Sequence, residues 1–300
     1  MSPERARGVF CAALTPLEND GRASLELLDA HLRFLVEAGC AGIVLLGTTG
    51  EANSFTVAER TSILDAVIAR GFPADKLIVG TGCCAAGDTV ALTKHALACG
   101  VTRVLMLPPF YYKNLADEGI ADAFARTIEA VGDEKLRIYL YQIPQLTGVS
   151  FTLSVIELLL EHHPGAVAGI KDSSGDWGAI EQLCSRFGKR LDVLAGSERF
   201  LLDALRAGAT GCVTATANVH PKSICELYEM RDSGDAPALQ ARVTTARSVF
   251  ERYPMIAALK EVRAQRSGDP RWRNLRPPLT PLAADARDAL TAEVSPAGRA

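Results

Sequence analysis

Short apolar runs alternate with longer stretches of helical period along most of the chain. The runs fall at residues 9–14, 42–46, 77–80, 103–107, 137–141, 167–170, 192–195 and 211–214. Each has strand length and is bounded by turn residues. Because the runs are largely apolar rather than alternating, they predict strands buried on both faces, which suits a parallel sheet. Between the first two runs, Leu25, Leu28, Leu32 and Leu35 recur on one helical face, with Ser24 placed to cap it. Thr56 ahead of Val57, Ala58 and Glu59 predicts a capping box for the second helix, and Asp88 and Asp117 are expected to cap the third and fourth.

Eight strands, each followed by a helix, predict an α/β fold of the (β/α)8 barrel type (a TIM barrel). The alternative is a doubly wound open sheet. It fits less well, because no G-x-G-x-x-G follows the first run, and Gly80-Thr81-Gly82 is too short for that fingerprint. From about Ile224 onward the composition turns to Ala, Arg and Leu with helical period and no strand. The expected division is a catalytic barrel over 1–223 and a C-terminal helical extension over 224–300. The proline-bearing stretch 271–281 sets off its last helix, and 295–300 are expected to fray.

Composition narrows the function. A 48% hydrophobic chain of 300 residues supports a large core, and a formal net charge of -3 gives no footprint for nucleic acid or an anionic membrane. No apolar run is long enough to span a bilayer, and Met1–Gly8 carries no apolar signal segment, so a soluble, cytoplasmic protein is expected. The eight cysteines make no C-x-x-C pair and the five histidines no H-E-x-x-H arrangement, so a metal is not expected. His162 and His163 precede Pro164 in what reads as a helix end.

In such a barrel, catalytic groups sit at the C-terminal ends of the strands. Lys171 falls where the sixth run opens into Asp172, Ser173, Ser174 and Gly175. Partial desolvation disfavours an ammonium, and a neutral amine can attack a ketone to form a Schiff base. The plainer reading is a lysine that snorkels to the surface. Tyr141 ends the fifth run, and a phenol beside an amine can shuttle protons; a buried tyrosine with a satisfied hydroxyl is the ordinary alternative. Gly47-Thr48-Thr49-Gly50-Glu51 follows the second run. Its glycines and hydroxyls suit a carboxylate, or form a common polar turn. Tyr111 and Tyr112 follow the fourth, on the same rim.

Together with Pro109-Phe110-Tyr111-Tyr112, Tyr141-x-x-Pro144-x-x-Thr147-Gly148, Gly169-Ile170-Lys171-Asp172 and Val213-Thr214-Ala215-Thr216-Ala217-Asn218, these motifs resemble the dihydrodipicolinate synthase / N-acetylneuraminate lyase superfamily of pyruvate-handling class I aldolases. The resemblance spans nearly the whole chain. It implies that Lys171 forms the Schiff base, that Tyr141 is the general acid/base, and that Thr48 and Thr49 receive the substrate carboxylate and continue the proton relay. It further implies that Tyr111 completes that relay in a neighbouring subunit, hence a homotetramer built from tight dimers. Gly47, Gly196 and Val213 match positions around the pyruvate end of the pocket, and the imine serves as electron sink, so no cofactor is required.

The departures bear on substrate. Where dihydrodipicolinate synthases carry an arginine before the Thr-Gly, this chain has Leu146, which removes a guanidinium–carboxylate contact. Leu146 looks more like the sugar-acid lyases. Ser173, Glu198 and Arg199 are expected to face the substrate's hydroxylated tail. Arg199 falls where sialic acid lyases carry an acid, so sialic acid itself is not supported. The expected activity is cleavage or formation of a C–C bond between pyruvate and an aldehyde, with a 2-oxo-3-deoxy or 4-hydroxy-2-oxo acid as the joined substrate. The alternatives are 4-hydroxy-tetrahydrodipicolinate synthase, a dehydratase using the same imine, and a non-catalytic paralogue that binds a 2-oxo acid.

Overall fold

The computed structural model describes residues 5–294; the stretch expected to fray, 295–300, lies outside them. Strands β1 (Gly8–Ala12), β2 (Gly42–Leu45), β3 (Leu77–Gly80), β4 (Arg103–Met106), β5 (Arg137–Gln142), β6 (Val167–Asp172), β7 (Asp192–Ala195) and β8 (Gly211–Thr214) pair in parallel in chain order. β8 returns to β1, so the barrel closes. The helices are α1 (Leu25–Glu37), α2 (Val57–Ala69), α3 (Ala86–Ala98), α4 (Asp117–Val131), the single turn α5 (Pro144–Thr147), α6 (Leu153–His162), α7 (Trp177–Phe187), α8 (Leu201–Arg206), α9 (Pro221–Glu229), α10 (Ala236–Phe250), α11 (Met255–Ser267) and α12 (Ala284–Val294). No helix among the described residues is long and apolar enough to cross a membrane.

The largely apolar runs have a direct cause. Val9 and Cys11 of β1 pack outward against the helical ring, while Phe10 and Ala12 pack into the barrel interior with Val44, Ile78, Leu105, Leu194 and Val213. Both strand faces are dry, so neither can be polar. The C-terminal strand ends differ from expectation by one residue in β2, β4 and β5 and by two in β1 and β6. β1 stops at Ala12, because the amide of Leu14 donates to the Asn218 side chain at 3.0 Å. β6 runs on through Lys171 and Asp172, which stay paired with Tyr141 and Gln142 of β5 and with Leu194 and Ala195 of β7. Lys171 is therefore a strand residue.

Thr56 makes the expected capping box with Glu59. Ser24 holds the cap position of α1 but makes no capping bond. Asp88 and Asp117 do not cap α3 and α4. They lie inside the first turns, behind Ala85 and Ala116, where a carboxylate still favours the amide ends of the helix.

α9 packs on β1. Beyond it, α10, α11 and α12 enclose a separate core of Leu14, Val219, Phe250, Leu259, Val262, Trp272 and Leu290. At roughly 1.5–3 kcal/mol for each large apolar side chain, burial there is ample to dock the extension on the barrel.

Candidate active site

Lys171 points inward because its neighbour Ile170 packs outward, and side chains alternate along a strand. It is 5% exposed. Its amine lies 4.2 Å from the centroid of the Tyr141 ring, on the adjacent strand in register. Among the described residues no carboxylate pairs with it. Burying an amine without a counter-charge has a cost, which the contact with the Tyr141 ring offsets in part.

One layer down, Tyr139 closes the floor by donating to Asp192 at 2.7 Å. Gly169 makes room for that ring: a methyl group at 169 would lie 2.6 Å from two of its carbons. At the end of β7, the amide of Gly196 donates to the carbonyl of Asp172 at 2.6 Å. A side chain there would come within 2.1 Å of the Ser173 hydroxyl and 2.5 Å of that carbonyl. Glycine at 196 thus lets the two strand ends close and sets Ser173 against the pocket. The buried Asp172 faces away and accepts from the amide and hydroxyl of Ser174 at 2.9 and 2.5 Å; burial pushes its carboxyl up.

The Tyr141 hydroxyl donates to Thr48 Oγ1 at 3.2 Å. The loop that carries Thr48 is a closed turn. The amides of Gly50 and Ala52 donate to the Gly47 carbonyl at 3.1 and 3.2 Å, and that of Glu51 to Thr48 at 3.0 Å. These three amides serve the turn itself, so the groups the loop offers to the cavity are Thr48 and Thr49. Glu51 takes a left-handed backbone (φ 57) and reaches Lys260 of α11, which donates to its carboxylate.

These groups line a cavity of about 640 Å³. It gathers Thr48, Thr49, Tyr141, Leu146, Lys171, Ser173, Gly196, Arg199 and Val213, all anticipated from sequence. Three anticipated residues lie elsewhere. Gly47 borders a void of about 20 Å³ shared with Thr48 and Tyr141. Tyr111 is 75% exposed, and its ring meets that of Tyr112 edge-on at 5.4 Å. Glu198 is a correction. It is buried outside the cavity lining, its carboxylate accepting from Thr214, Thr216 and Arg247, so it does not face a substrate tail.

Sequence reading missed the far wall. Arg247 and Glu251 of α10 line the cavity with Arg199. Arg247 bridges Glu198 at 3.0 Å and Glu251 at 3.1 Å, and Arg199 donates to Glu251. Met255, Ile256 and Ala257 of α11 complete that side. The i,i+4 spacing of Arg247 and Glu251 is visible in sequence, but its presence at the barrel mouth depends on how α10 docks.

The model of the Dihydrodipicolinate synthetase family matches residues 5–297. A DapA-like lyase of Chloroflexus aurantiacus is 38% identical over 288 residues, covering 95% of each chain. A 4-hydroxy-tetrahydrodipicolinate synthase of Methanosarcina barkeri is 32% identical over 291 residues, covering 92% of each. The crystal structure of a dihydrodipicolinate synthase from Agrobacterium tumefaciens superposes with a TM-score of 0.89 at 29% identity, covering 98% of this chain and 100% of that one.

Proposed function

This chain belongs to the dihydrodipicolinate synthetase family, a family of lyases, and on that premise we propose that it makes and breaks carbon–carbon bonds of 2-oxo acids through a Schiff base on Lys171. The observation that carries this reading is the nearly buried, unpaired Lys171 amine beside Tyr141, whose hydroxyl is already bonded to Thr48.

In the cleavage direction, the Lys171 amine attacks the C2 carbonyl of the substrate, and the carbonyl oxygen leaves as water with the Tyr141 phenol proton, giving an iminium and a Tyr141 phenolate. The Tyr141 phenolate, held beside Thr48, then takes the proton of the C4 hydroxyl. The C3–C4 bond breaks, its electrons enter the iminium, and an aldehyde leaves. The resulting enamine is protonated at C3, and water hydrolyses the iminium to release pyruvate and restore the amine. Thr48 and Thr49 hold the substrate carboxylate.

The far wall bears on the aldehyde part. Arg199 and Arg247 line that wall together with Glu251, so it presents donors beside an acceptor, which suits a hydroxylated tail. Leu146, at the mouth, supplies no cation for a second carboxylate. The substrate class is accordingly a 2-oxo-3-deoxy or 4-hydroxy-2-oxo acid. Condensation of pyruvate with aspartate semialdehyde is the second reading, favoured by the name of the Methanosarcina barkeri relative. The proposed enzyme works as a homotetramer in the reducing cytoplasm, in keeping with eight free thiols.

The test is incubation with pyruvate and borohydride, followed by intact mass measurement, with Lys171→Ala as control. A pyruvate-sized adduct confined to the parent protein supports the reading. Its absence from folded protein sinks it. Turnover of 2-oxo-3-deoxy acids against aspartate semialdehyde then separates the two substrate classes.

A further inference from the structure

α2 and α3 pack side by side on the outer ring of the barrel. Where α3 ends they bring together Asp65 of α2, His95 in the last turn of α3, and Cys99, which caps that helix. The three ligating atoms face one another: His95 Nε2 to Asp65 Oδ1 is 2.9 Å, Cys99 Sγ to the same oxygen 3.5 Å, and Cys99 Sγ to His95 Nε2 3.6 Å. None of the three lines the cavity around Lys171.

We propose that Asp65, His95 and Cys99 form a zinc(II) site on the outer helical ring, with the fourth position open to water. Zinc bound tetrahedrally, with bonds of roughly 2.0–2.3 Å, holds its nitrogen, oxygen and sulfur ligands about 3.4–3.6 Å from one another. Two of the three separations already lie there, and the third, 2.9 Å, widens to that value with a shift of about half an ångström, well within side-chain rotation. An imidazole, a thiolate and a carboxylate together suit a borderline-soft ion; calcium and magnesium take oxygen donors instead. The scaffold is set in advance. His95 and Cys99 sit one turn apart on one helix, joined by the Cys99 amide donating to the His95 carbonyl at 3.0 Å. Asp65 arrives from the neighbouring helix, so the ion clamps α2 to α3.

When zinc binds, the Cys99 thiol surrenders its proton to solvent and sulfur, nitrogen and oxygen lone pairs fill three positions. No electron changes hands. The site is thus a structural clamp separate from the lyase chemistry, and it stabilises the fold by mass action.

The experiment is a cobalt(II) titration of full-length, chelator-treated protein, followed by displacement with zinc. One equivalent is expected, with a thiolate-to-cobalt charge-transfer band that zinc abolishes. Cys99→Ser should remove the band. Asp65→Asn and His95→Gln should each weaken zinc binding by at least about tenfold. Cys84→Ser, which changes an exposed thiol elsewhere, should leave both unchanged. Zinc should raise the melting temperature of the parent and not of Cys99→Ser, while turnover stays the same with and without the ion. The proposal falls if no thiolate band appears, if the band survives in Cys99→Ser, or if the two other substitutions leave zinc affinity intact. All three positions are on the helical surface, and circular dichroism of each variant confirms that a lost signal reflects a lost ligand.

Discussion

Lys260 and Glu51 meet in a fully buried ion pair, the ammonium of α11 donating to the carboxylate that ends the loop after β2. The same ammonium donates to the Asn274 carbonyl at 2.7 Å, and the Arg276 amide reaches the other Glu51 oxygen at 3.1 Å. Burial pulls the Lys260 ammonium down from the usual lysine value, and Glu51 opposes that. The contrast with Lys171 is instructive. Both lysines are buried, yet one has its counter-charge and holds a loop, and the other has none and faces a cavity.

Replacing one partner leaves a bare charge in the core. Lys260→Met is expected to lower stability by about 3–5 kcal/mol, and adding Glu51→Gln to recover part of it. Because Glu51 ends the turn that carries Thr48 and Thr49, any folded single variant should also bind pyruvate more weakly. Denaturant titration and KM for the 2-oxo acid measure the two effects; a loss under about 1 kcal/mol contradicts the pinning role.

Tyr141→Phe keeps the ring beside Lys171 and removes the oxygen bonded to Thr48. Turnover is expected to fall about 10²–10⁴-fold, while borohydride still traps pyruvate on Lys171. A variant within threefold of the parent (about 0.7 kcal/mol) excludes the relay.

Tyr111 is exposed in the single chain and would act only across a subunit contact. Under the proposed assembly Tyr111→Phe lowers turnover about tenfold or more without changing thermal stability. Unimpaired turnover in that variant counts against a shared relay.

Gly196→Ala forces a methyl group against Ser173 and the Asp172 carbonyl. Overpacking of this kind costs about 1–3 kcal/mol. Since it displaces the residues on either side of the Lys171 strand end, kcat is expected to fall further than stability alone would explain. Melting temperature and kcat, measured together, check this.

Two histidines, the buried His31 and the half-buried His220, bear on the response to acid. Burial, aided by Arg263, pulls His31 down to about 3, and burial, aided by Arg266, pulls His220 down to about 4, from an ordinary 6.5. Both are depressed in the folded state, so their contribution is full above pH 6.5. It is lost as pH falls, since the unfolded chain takes up protons that the folded chain refuses. Between pH 6.5 and 4 stability should drop by up to about 2.7 kcal/mol per pH unit, and His220→Gln should halve that slope. Urea titrations across that range decide it.

The eight-strand beat, the barrel it implies and the rim that carries Lys171, Tyr141, Thr48 and Thr49 were legible in the sequence. These are local matters. A largely apolar run reports that both of its faces are dry, and the residue that ends a strand lies at the mouth whatever else the chain does. The capping box at Thr56 was legible for the same reason, whereas Asp88 and Asp117 could not be assigned within a turn, since an acid is favoured anywhere near a helix start.

Tertiary structure alone decided the rest. Glu198 looks like a rim acid in sequence, yet Thr214, Thr216 and Arg247 consume its oxygens inside the protein. The partner of Glu51 lies 209 residues away, and Arg247 reaches the mouth only because α10 docks there. His95 and Cys99 share a helix face by spacing, but Asp65 joins them only where α2 meets α3. Periodicity records which face of an element is apolar; it carries no record of which distant element covers that face, and side chains that meet across such a contact are set by packing.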